Sequence, residues 1–145
     1  MTASPMDRVL EFVSHHPWLA AATALLVALV LVYEMRARSE SRVGVSPQEL
    51  IRLMNQGALV LDLRPAEQFQ AGHLSGARPM NGEQLLAAGD TLKKHKEKAI
   101  VVYDDSGSVG AAAVRQLTAQ GFTRAFMLRG GLAAWRADNL PLSRA

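Results

Sequence analysis

The residues best suited to chemistry lie in one short polar loop, residues 103–110, directly after the most apolar run of the globular part, residues 99–103. In an α/β sheet, ligands bind beyond the carboxyl ends of the strands, where a loop leads into a helix N-terminus. The loop carries Asp104 and Asp105, and carboxylates can act as nucleophiles or as metal ligands. The chain contains no cysteine, which excludes disulfides, thiolate metal sites and thiol nucleophiles.

Two chemical uses of these carboxylates are open. Asp104 could accept a phosphoryl group, as the aspartate after an apolar strand does in aspartyl-phosphate enzymes, although such enzymes place further acids around Mg²⁺ and VVYDDSG lacks a second aspartate two residues on. Alternatively, the acidic loop could sense a small molecule or a metal ion. We expect Asp104 and Asp105 to lie at the rim of the loop, where each would oppose an anion about 5 Å away by roughly 1 to 3 kcal/mol. Two carboxylates outweigh one helix dipole. We therefore expect a loop that does not bind anions. We also expect that the domain holds no cofactor and no resident metal.

Alternating strands and helices must position this loop. The segment from Ser46 has a cap, a first-turn proline and a capping-box acid, and Gly57 ends that helix. Beyond it the pattern predicts strands at 58–63, 78–80, 99–103 and 124–128, and helices at 65–71, 82–88, 110–120 and 131–137. Such alternation predicts an α/β fold with a parallel sheet flanked by helices on both faces.

Two motifs in order carry a family resemblance. The first comprises Leu61-Asp62-Leu63-Arg64, Phe69 and Gly72-His73-Leu74-Ser75-Gly76-Ala77, and the second comprises Leu128-Arg129-Gly130-Gly131, Trp135 and Leu140-Pro141. Together they resemble the two signatures of the rhodanese-like family over about residues 46–141. The resemblance implies a rhodanese-like parallel sheet.

Physical roles explain most of the motif residues without catalysis. Asp62 and Arg64 lie two residues apart at the end of a strand, on one face, which favours a local ion pair or loop hydrogen bonds. His73 fits a hydrogen-bonded structural histidine better than a metal ligand, and Trp135 fits a core anchor for the last helix. Four glycines are expected to supply positive φ or close backbone approach: Gly72, Gly76, Gly130 and Gly131.

The resemblance implies a different residue at the centre of the loop. In the rhodanese family a cysteine opens this loop and carries the persulfide, and Asp104 stands at its position. Val109 takes the place where an arginine is common, so we expect both the nucleophile and its cationic partner to be missing. Sulfur transfer, and the cysteine-dependent phosphatase and arsenate-reductase chemistries of related folds, need a thiolate and are excluded. The degenerate active-site loop is Asp104, Asp105, Ser106, Gly107, Ser108, Val109 and Gly110.

The chain begins with a different kind of segment. Residues 18–33 are sixteen uncharged, mostly apolar residues with Trp18 and Tyr33 at their ends, which with a few flanking residues predicts a transmembrane helix. We therefore divide the chain into an amphipathic segment and single transmembrane helix at 1–38, a polar linker at 39–45 and the rhodanese-like domain at 46–145. A cleaved signal peptide and a buried core helix are the alternatives for this helix. The arrangement resembles small bacterial inner-membrane rhodanese-like proteins of the YibN type.

Charge predicts the orientation in the membrane. Arg36, Arg38 and Arg42 follow the apolar run, whereas Arg8 alone among side chains precedes it, so the positive-inside rule places the N-terminus outside and the domain in the cytoplasm of a bacterial inner membrane. The net charge of +3 is too small to indicate nucleic-acid binding.

These observations predict a binding or scaffolding module and not an enzyme. The expected partners are the bilayer and an integral-membrane protein, and a homo-oligomer fits the sequence as well. Small residues recur every four positions along the spanning helix and could permit close helix packing, and they are Ala20, Ala24 and Ala28.

Overall fold

A computed structural model describes residues 3–144, with residues 39–41 described by their backbone alone. The chain divides into two compact units, which adjoin in sequence at Ser39 and Glu40. The first unit is helical. Helix α1 spans Pro5–His15, and helix α2 begins at Pro17 and continues to Val43.

Helix α1 has a complete capping box and an unburied apolar side. The Ser4 hydroxyl accepts a hydrogen bond from the Asp7 backbone N–H at 3.3 Å, and the Asp7 carboxylate accepts one from the Ser4 N–H at 2.9 Å. All residues of α1 are exposed, including large apolar ones such as Phe12 and Leu10. The predicted amphipathic segment is therefore a helix whose apolar residues are exposed.

Helix α2 contains the apolar segment. Pro17–Arg38 covers 22 residues with a mean hydropathy of 2.0, long and apolar enough to cross a membrane, although a signal sequence shares this length and composition. Ala20, Ala24 and Ala28 all lie within this helix, so their four-residue spacing places them on one face. Packing of that face against another helix stays a prediction.

The prediction of a polar linker at 39–45 is wrong. Helix α2 runs through this segment to Val43, and Gly44 and Val45 then form a strand. Extending an existing helix adds one hydrogen bond for each residue fixed, so a polar sequence alone does not end it.

The second unit is an α/β domain. Its helix α3 starts with the predicted capping box, since Ser46 Oγ accepts from the Glu49 N–H and the Glu49 carboxylate accepts from the Ser46 N–H. The elements in chain order are β1 Gly44–Val45, α3 Pro47–Asn55, β2 Leu59–Asp62, α4 Ala66–Ala71, β3 Arg78–Pro79, α5 Gly82–Leu86, α6 Ala88–Thr91, a 3₁₀ turn Lys93–His95, β4 Ile100–Tyr103, α7 Gly110–Ala119, β5 Ala125–Leu128 and α8 Gly131–Ala137.

The five strands form one parallel sheet in the order β1-β5-β4-β2-β3, which confirms the predicted fold class. Strand β4 lies at the centre and is fully buried. Its side chains alternate between two apolar clusters, with Ile100 and Val102 on one face of the sheet and Val101 and Tyr103 on the other. Because both faces of β4 are covered, the loop that follows it starts from a rigid position.

The predicted helix 82–88 is two short helices. Helix α5 ends at Leu86, and α6 begins at Ala88 after Ala87 adopts φ −92° and ψ 4°. The Gln120 side chain holds this junction, accepting from the Gly89 N–H at 2.6 Å and donating to the Leu85 carbonyl at 2.9 Å. That contact is remote in sequence, so local pattern could not predict the break.

Candidate functional site

The carboxyl end of β2 carries a buried ion pair. Asp62 is completely buried, and its carboxylate accepts hydrogen bonds from Arg64 Nη2 at 2.7 Å, from Arg64 Nε at 3.0 Å and from the Arg64 backbone N–H at 2.9 Å. Burial opposes the charged form of Arg64, but the hydrogen bonds and charge of Asp62 outweigh it and raise the pKa of the guanidinium. The strand-end spacing predicted this pair.

Tyr103 joins the ion pair to the central strand. Its hydroxyl donates to Asp62 Oδ2 at 2.7 Å and accepts from the Leu74 N–H at 3.1 Å. Burial and the hydrogen bond to Asp62 raise the pKa of Tyr103 well above its usual range, so the phenol stays protonated. Arg64 Nη2 also donates to the Gly72 carbonyl at 2.6 Å. The network therefore ties the ends of β2 and β4 to the turn that begins at Gly72.

His73 is a structural histidine, as its sequence context indicated. Its Nδ1 lies 2.9 Å from the Phe69 carbonyl oxygen, and because a carbonyl can accept but not donate, Nδ1 carries the proton. The His73 and Phe69 rings stack at a centroid distance of 3.9 Å. The His73 backbone also exchanges two 2.8 Å hydrogen bonds with Ser143, which fastens the C-terminal segment to this turn.

The prediction for Gly72 is wrong, whereas that for Gly76 agrees with the structure. Gly72 has φ 165°, an extended conformation open to any residue, and an added Cβ would meet Leu142 Cδ1 at an ordinary 3.5 Å. Gly76 has φ 75° and so adopts the left-handed conformation that favours glycine.

The central finding at the degenerate loop is the position of the Asp104 carboxylate. Its Oδ1 accepts from the Gly107 N–H at 2.8 Å, and its Oδ2 accepts from Ser108 Oγ at 3.3 Å and from the Val109 N–H at 3.4 Å. The residue is 6% exposed. The expectation that Asp104 lies at the rim is therefore wrong, because its side chain turns inward and takes hydrogen bonds that the loop backbone would offer an anion.

Asp105 does lie at the rim. Its side chain is 58% exposed, and its Oδ1 lies 3.5 Å from Arg64 Nη1. Val109 stands where the resemblance implies an arginine, but Arg64 reaches the loop at Asp105 from the neighbouring strand end. The resemblance implies a cation at position 109, within the loop itself. The contact from Arg64 depends instead on the pairing of β2 with β4, which local sequence does not show.

The loop is fastened to the start of α8. The Leu132 N–H donates to the Asp104 carbonyl at 2.8 Å, and the Ala133 N–H donates to the Asp105 carbonyl at 2.9 Å. A Cβ on Gly131 would lie 2.5 Å from the Asp104 carbonyl oxygen, so only glycine permits this approach. Gly130 has φ 74°. The double glycine of the second motif therefore serves the loop, as the prediction of positive φ or close approach required.

Trp135 and Gly110 fix the helices on either side of the loop. Trp135 is 4% exposed and its indole N–H donates to the Pro141 carbonyl at 3.0 Å, so it anchors α8 as predicted. A Cβ on Gly110 would lie 2.9 Å from Met127 Cβ, so glycine lets α7 approach β5. This role of Gly110 was not predicted from the sequence, because Met127 is distant along the chain.

This geometry gives little support to the two chemical uses of the acidic loop. Both oxygens of Asp104 are engaged by the loop itself, which leaves the carboxylate poorly placed to attack a phosphoryl group. Among the side chains that the structure describes, which exclude those of residues 39–41, no group of three or more His, Asp or Glu is arranged to hold a metal ion.

An apolar groove lies beside the loop and was not predicted. Val109 is 51% exposed and lines a cavity of about 250 Å³ between α5 and α7. The other lining residues are Leu63, Gly82, Leu85, Ala112, Ala113 and Gln116. The sequence signal was Val109 itself, an apolar residue directly before a helix, where polar capping residues are preferred.

Comparison with known proteins places this geometry in context. The family model of the rhodanese-like domain matches residues 46–138. The chain is 34% identical over 141 residues to the uncharacterized protein YibN of Escherichia coli, a match that covers 96% of this chain and 99% of YibN. It is 33% identical over 93 residues to thiosulfate sulfurtransferase GlpE of Ectopseudomonas mendocina, covering 64% of this chain and 84% of that enzyme. The solution structure of a rhodanese-like domain from Anabaena superposes with a TM-score of 0.62 at 28% identity, covering 71% of this chain and 80% of that one.

Proposed function

This chain belongs to the rhodanese-like domain family and is similar to YibN over nearly its full length, and we propose that it is a catalytically inactive, membrane-anchored member that binds another protein at the cytoplasmic face of the membrane. The observation that carries the proposal is Asp104. It stands where the family resemblance places the persulfide cysteine, and its carboxylate is bound by its own loop. Sulfur transfer needs a thiolate that attacks and is regenerated, and the chain has no cysteine.

Inactivity is tested by thiosulfate-to-cyanide sulfur transfer with the purified full-length protein. We expect no turnover above a blank without protein. Asp104→Cys alone should restore little, because Asp105 lies beside the new thiol and Arg64 is already committed to Asp62. Ser106→Cys is the matched control, since it adds a thiol to the same loop at a different position. Turnover by the wild-type protein would contradict the proposal. Turnover by Asp104→Cys well above Ser106→Cys would contradict the expectation for this variant and show that the loop is still preorganised.

Membrane anchoring is supported by the 22-residue apolar stretch of α2, and the orientation by Arg36, Arg38 and Arg42 at and after the end of this stretch. An integral protein resists extraction by alkaline carbonate, and a reporter fused after residue 145 should read as cytoplasmic. A cleaved signal sequence would instead yield a shortened, extractable product. Labelling of the domain by an impermeant reagent in intact cells would overturn the proposed orientation.

Partner binding is assigned to the groove beside the loop, which we call the Val109 groove. Its lining is mainly apolar and its volume of about 250 Å³ suits one or two apolar side chains. We propose that these come from a membrane-associated protein, because the anchor confines the domain to that surface. The loop next to the groove is held rigidly by α8.

A photoreactive residue at position 109, used in native membranes, should crosslink to one membrane protein identified by mass spectrometry. Val109→Asp should abolish the co-purification of that protein, whereas Arg136→Asp, on an exposed part of α8, should not. If the Val109→Asp variant retains its partner and Ala24→Ile with Ala28→Ile loses it, the interface lies on α2 and not in the groove.

A further inference from the structure

A second cleft lies beside strand β1, at the edge of the sheet. It has a volume of about 490 Å³. Three arginines from three different segments line it: Arg42 near the end of α2, Arg52 in α3 and Arg129 just after β5. Val45, Leu53 and Phe126 supply apolar surface in the same cleft. The arrangement therefore combines cationic side chains with an apolar floor.

Basic side chains outnumber acidic ones among the described residues that line the cleft. Glu49 is the acidic residue among its lining side chains, and one of its oxygens accepts a 2.8 Å hydrogen bond from the Ser46 N–H in the capping box of α3. Arg129 Nη2 donates to the Gly44 carbonyl at 3.0 Å, which orients its guanidinium along the cleft-forming strand β1. Arg42 and Arg52 therefore supply the cationic groups for a ligand, against the single carboxylate of Glu49 among the described lining side chains.

Guanidinium groups and phosphates are well matched. The planar guanidinium presents paired N–H donors that fit two phosphate oxygens, and such charge-assisted bonds are stronger than neutral ones. An apolar floor would weaken the binding of a free hydrated anion but favours a ligand with hydrocarbon next to its phosphate. A phospholipid has this combination of groups.

The sequence position of the cleft points to the same ligand. Arg42 follows Arg38, the last residue of the apolar stretch, by four residues, which is about one turn of the same helix. If α2 spans the membrane, as the proposed function requires, Arg42 begins at the depth of the lipid headgroups. We propose that the cleft binds the headgroup of an anionic phospholipid, with its phosphate on Arg42 and Arg52 and its glycerol and first methylenes on the apolar floor.

The test uses the full-length protein in a nonionic maltoside detergent, titrated calorimetrically with short-chain phosphatidylglycerol below its micelle concentration. We expect saturable binding at one site. Arg42→Gln with Arg52→Gln should weaken it about thirty-fold, since each near-surface basic residue contributes about a five-fold effect on binding to anionic lipid. Arg115→Gln with Arg136→Gln removes the same charge from exposed positions elsewhere and should leave the affinity unchanged.

Three outcomes would overturn the proposal. Equal loss of affinity in both double variants would show that only net charge acts. Equal binding of short-chain phosphatidylcholine would show that the arginines of the cleft do not select an anionic lipid. Inorganic phosphate that competes at the same concentration as phosphatidylglycerol would assign the cleft to a free anion. Carbonate extraction tests membrane anchoring separately. A protein that resists extraction but does not bind phosphatidylglycerol would contradict the lipid site and leave the anchor intact.

Discussion

Two buried carboxylates lie at the same edge of the sheet, and their partners differ in kind. Asp62, at the end of β2, is bound by a guanidinium and a phenol, and that phenol comes from another strand. Asp104, after β4, is bound by two backbone N–H groups and one hydroxyl that all lie within five residues of it. The comparison separates a carboxylate that joins distant segments from one that fills its own loop.

The largest effect is expected at Asp62. Asp62→Ala leaves Arg64 with a side chain that is 4% exposed and has lost its buried counter-charge. Breaking a buried pair by removing one partner costs about 3 to 5 kcal/mol. Urea unfolding of the full-length protein in detergent, followed by Trp135 fluorescence in a Trp18→Phe background, measures this free energy. A loss below about 1 kcal/mol would mean that Arg64 finds another partner, and Asp62→Leu with Arg64→Met, which removes both charges, should lose less than Asp62→Ala.

A smaller effect is expected at Asp104. Asp104→Ala removes an acceptor shared by three donors, but they lie in a loop at the protein surface, so water can replace it and the loss should be about 1 to 2 kcal/mol. Asp104→Asn keeps one oxygen acceptor and should lose less. The same unfolding measurement applies. The contrast between the two carboxylates fails if Asp104→Ala is as destabilising as Asp62→Ala.

Tyr103→Phe tests the link between the two regions, because this residue precedes Asp104 and donates to Asp62. We expect a loss of about 1 kcal/mol near neutral pH. Since folding raises the pKa of Tyr103, its contribution is present below the unfolded pKa of about 10 and declines as the pH rises beyond it. Unfolding free energies between pH 8 and pH 11 should therefore fall more steeply for the wild-type protein than for Tyr103→Phe, and parallel curves would refute the coupling.

The smallest effect is expected at Asp105. Its ion pair with Arg64 spans 3.5 Å and its side chain is 58% exposed, and exposed pairs contribute about 0.2 to 1 kcal/mol. Asp105→Asn should change the unfolding free energy by less than about 0.5 kcal/mol, and added salt should abolish the difference. A larger change would mean that Asp105, and not Asp62 alone, holds Arg64 in place.

Sequence reasoning reached the Asp62–Arg64 pair because its determinants are local. Residues two apart in a strand share a face, so opposite charges at a strand end can meet. The parallel sheet also followed from the alternation of elements. The inward position of Asp104 could not be predicted from the sequence, because it depends on Gly107 at φ 86° and on the close approach of Gly131 from another element.

Strand β1 shows the same limit of prediction from local sequence. Gly44 and Val45 have little strand character of their own, and they are a strand because they pair with Met127 and Leu128. Those partners lie more than eighty residues away, so the local pattern of residues 39–45 predicted a linker. The lipid-binding cleft depends on this pairing too, since it brings Arg129 to the segment that follows Arg42.

The self-bound Asp104 has a consequence for the rate at which a partner can associate. A loop that is ordered only by an incoming ligand must lose backbone freedom at that moment, at about 1 to 2 kcal/mol for each residue fixed. Here the carboxylate belongs to the chain, so the loop loses that freedom during folding. A protein that docks beside Val109 meets a surface of constant shape and needs no conformational step before contact, which favours rapid association.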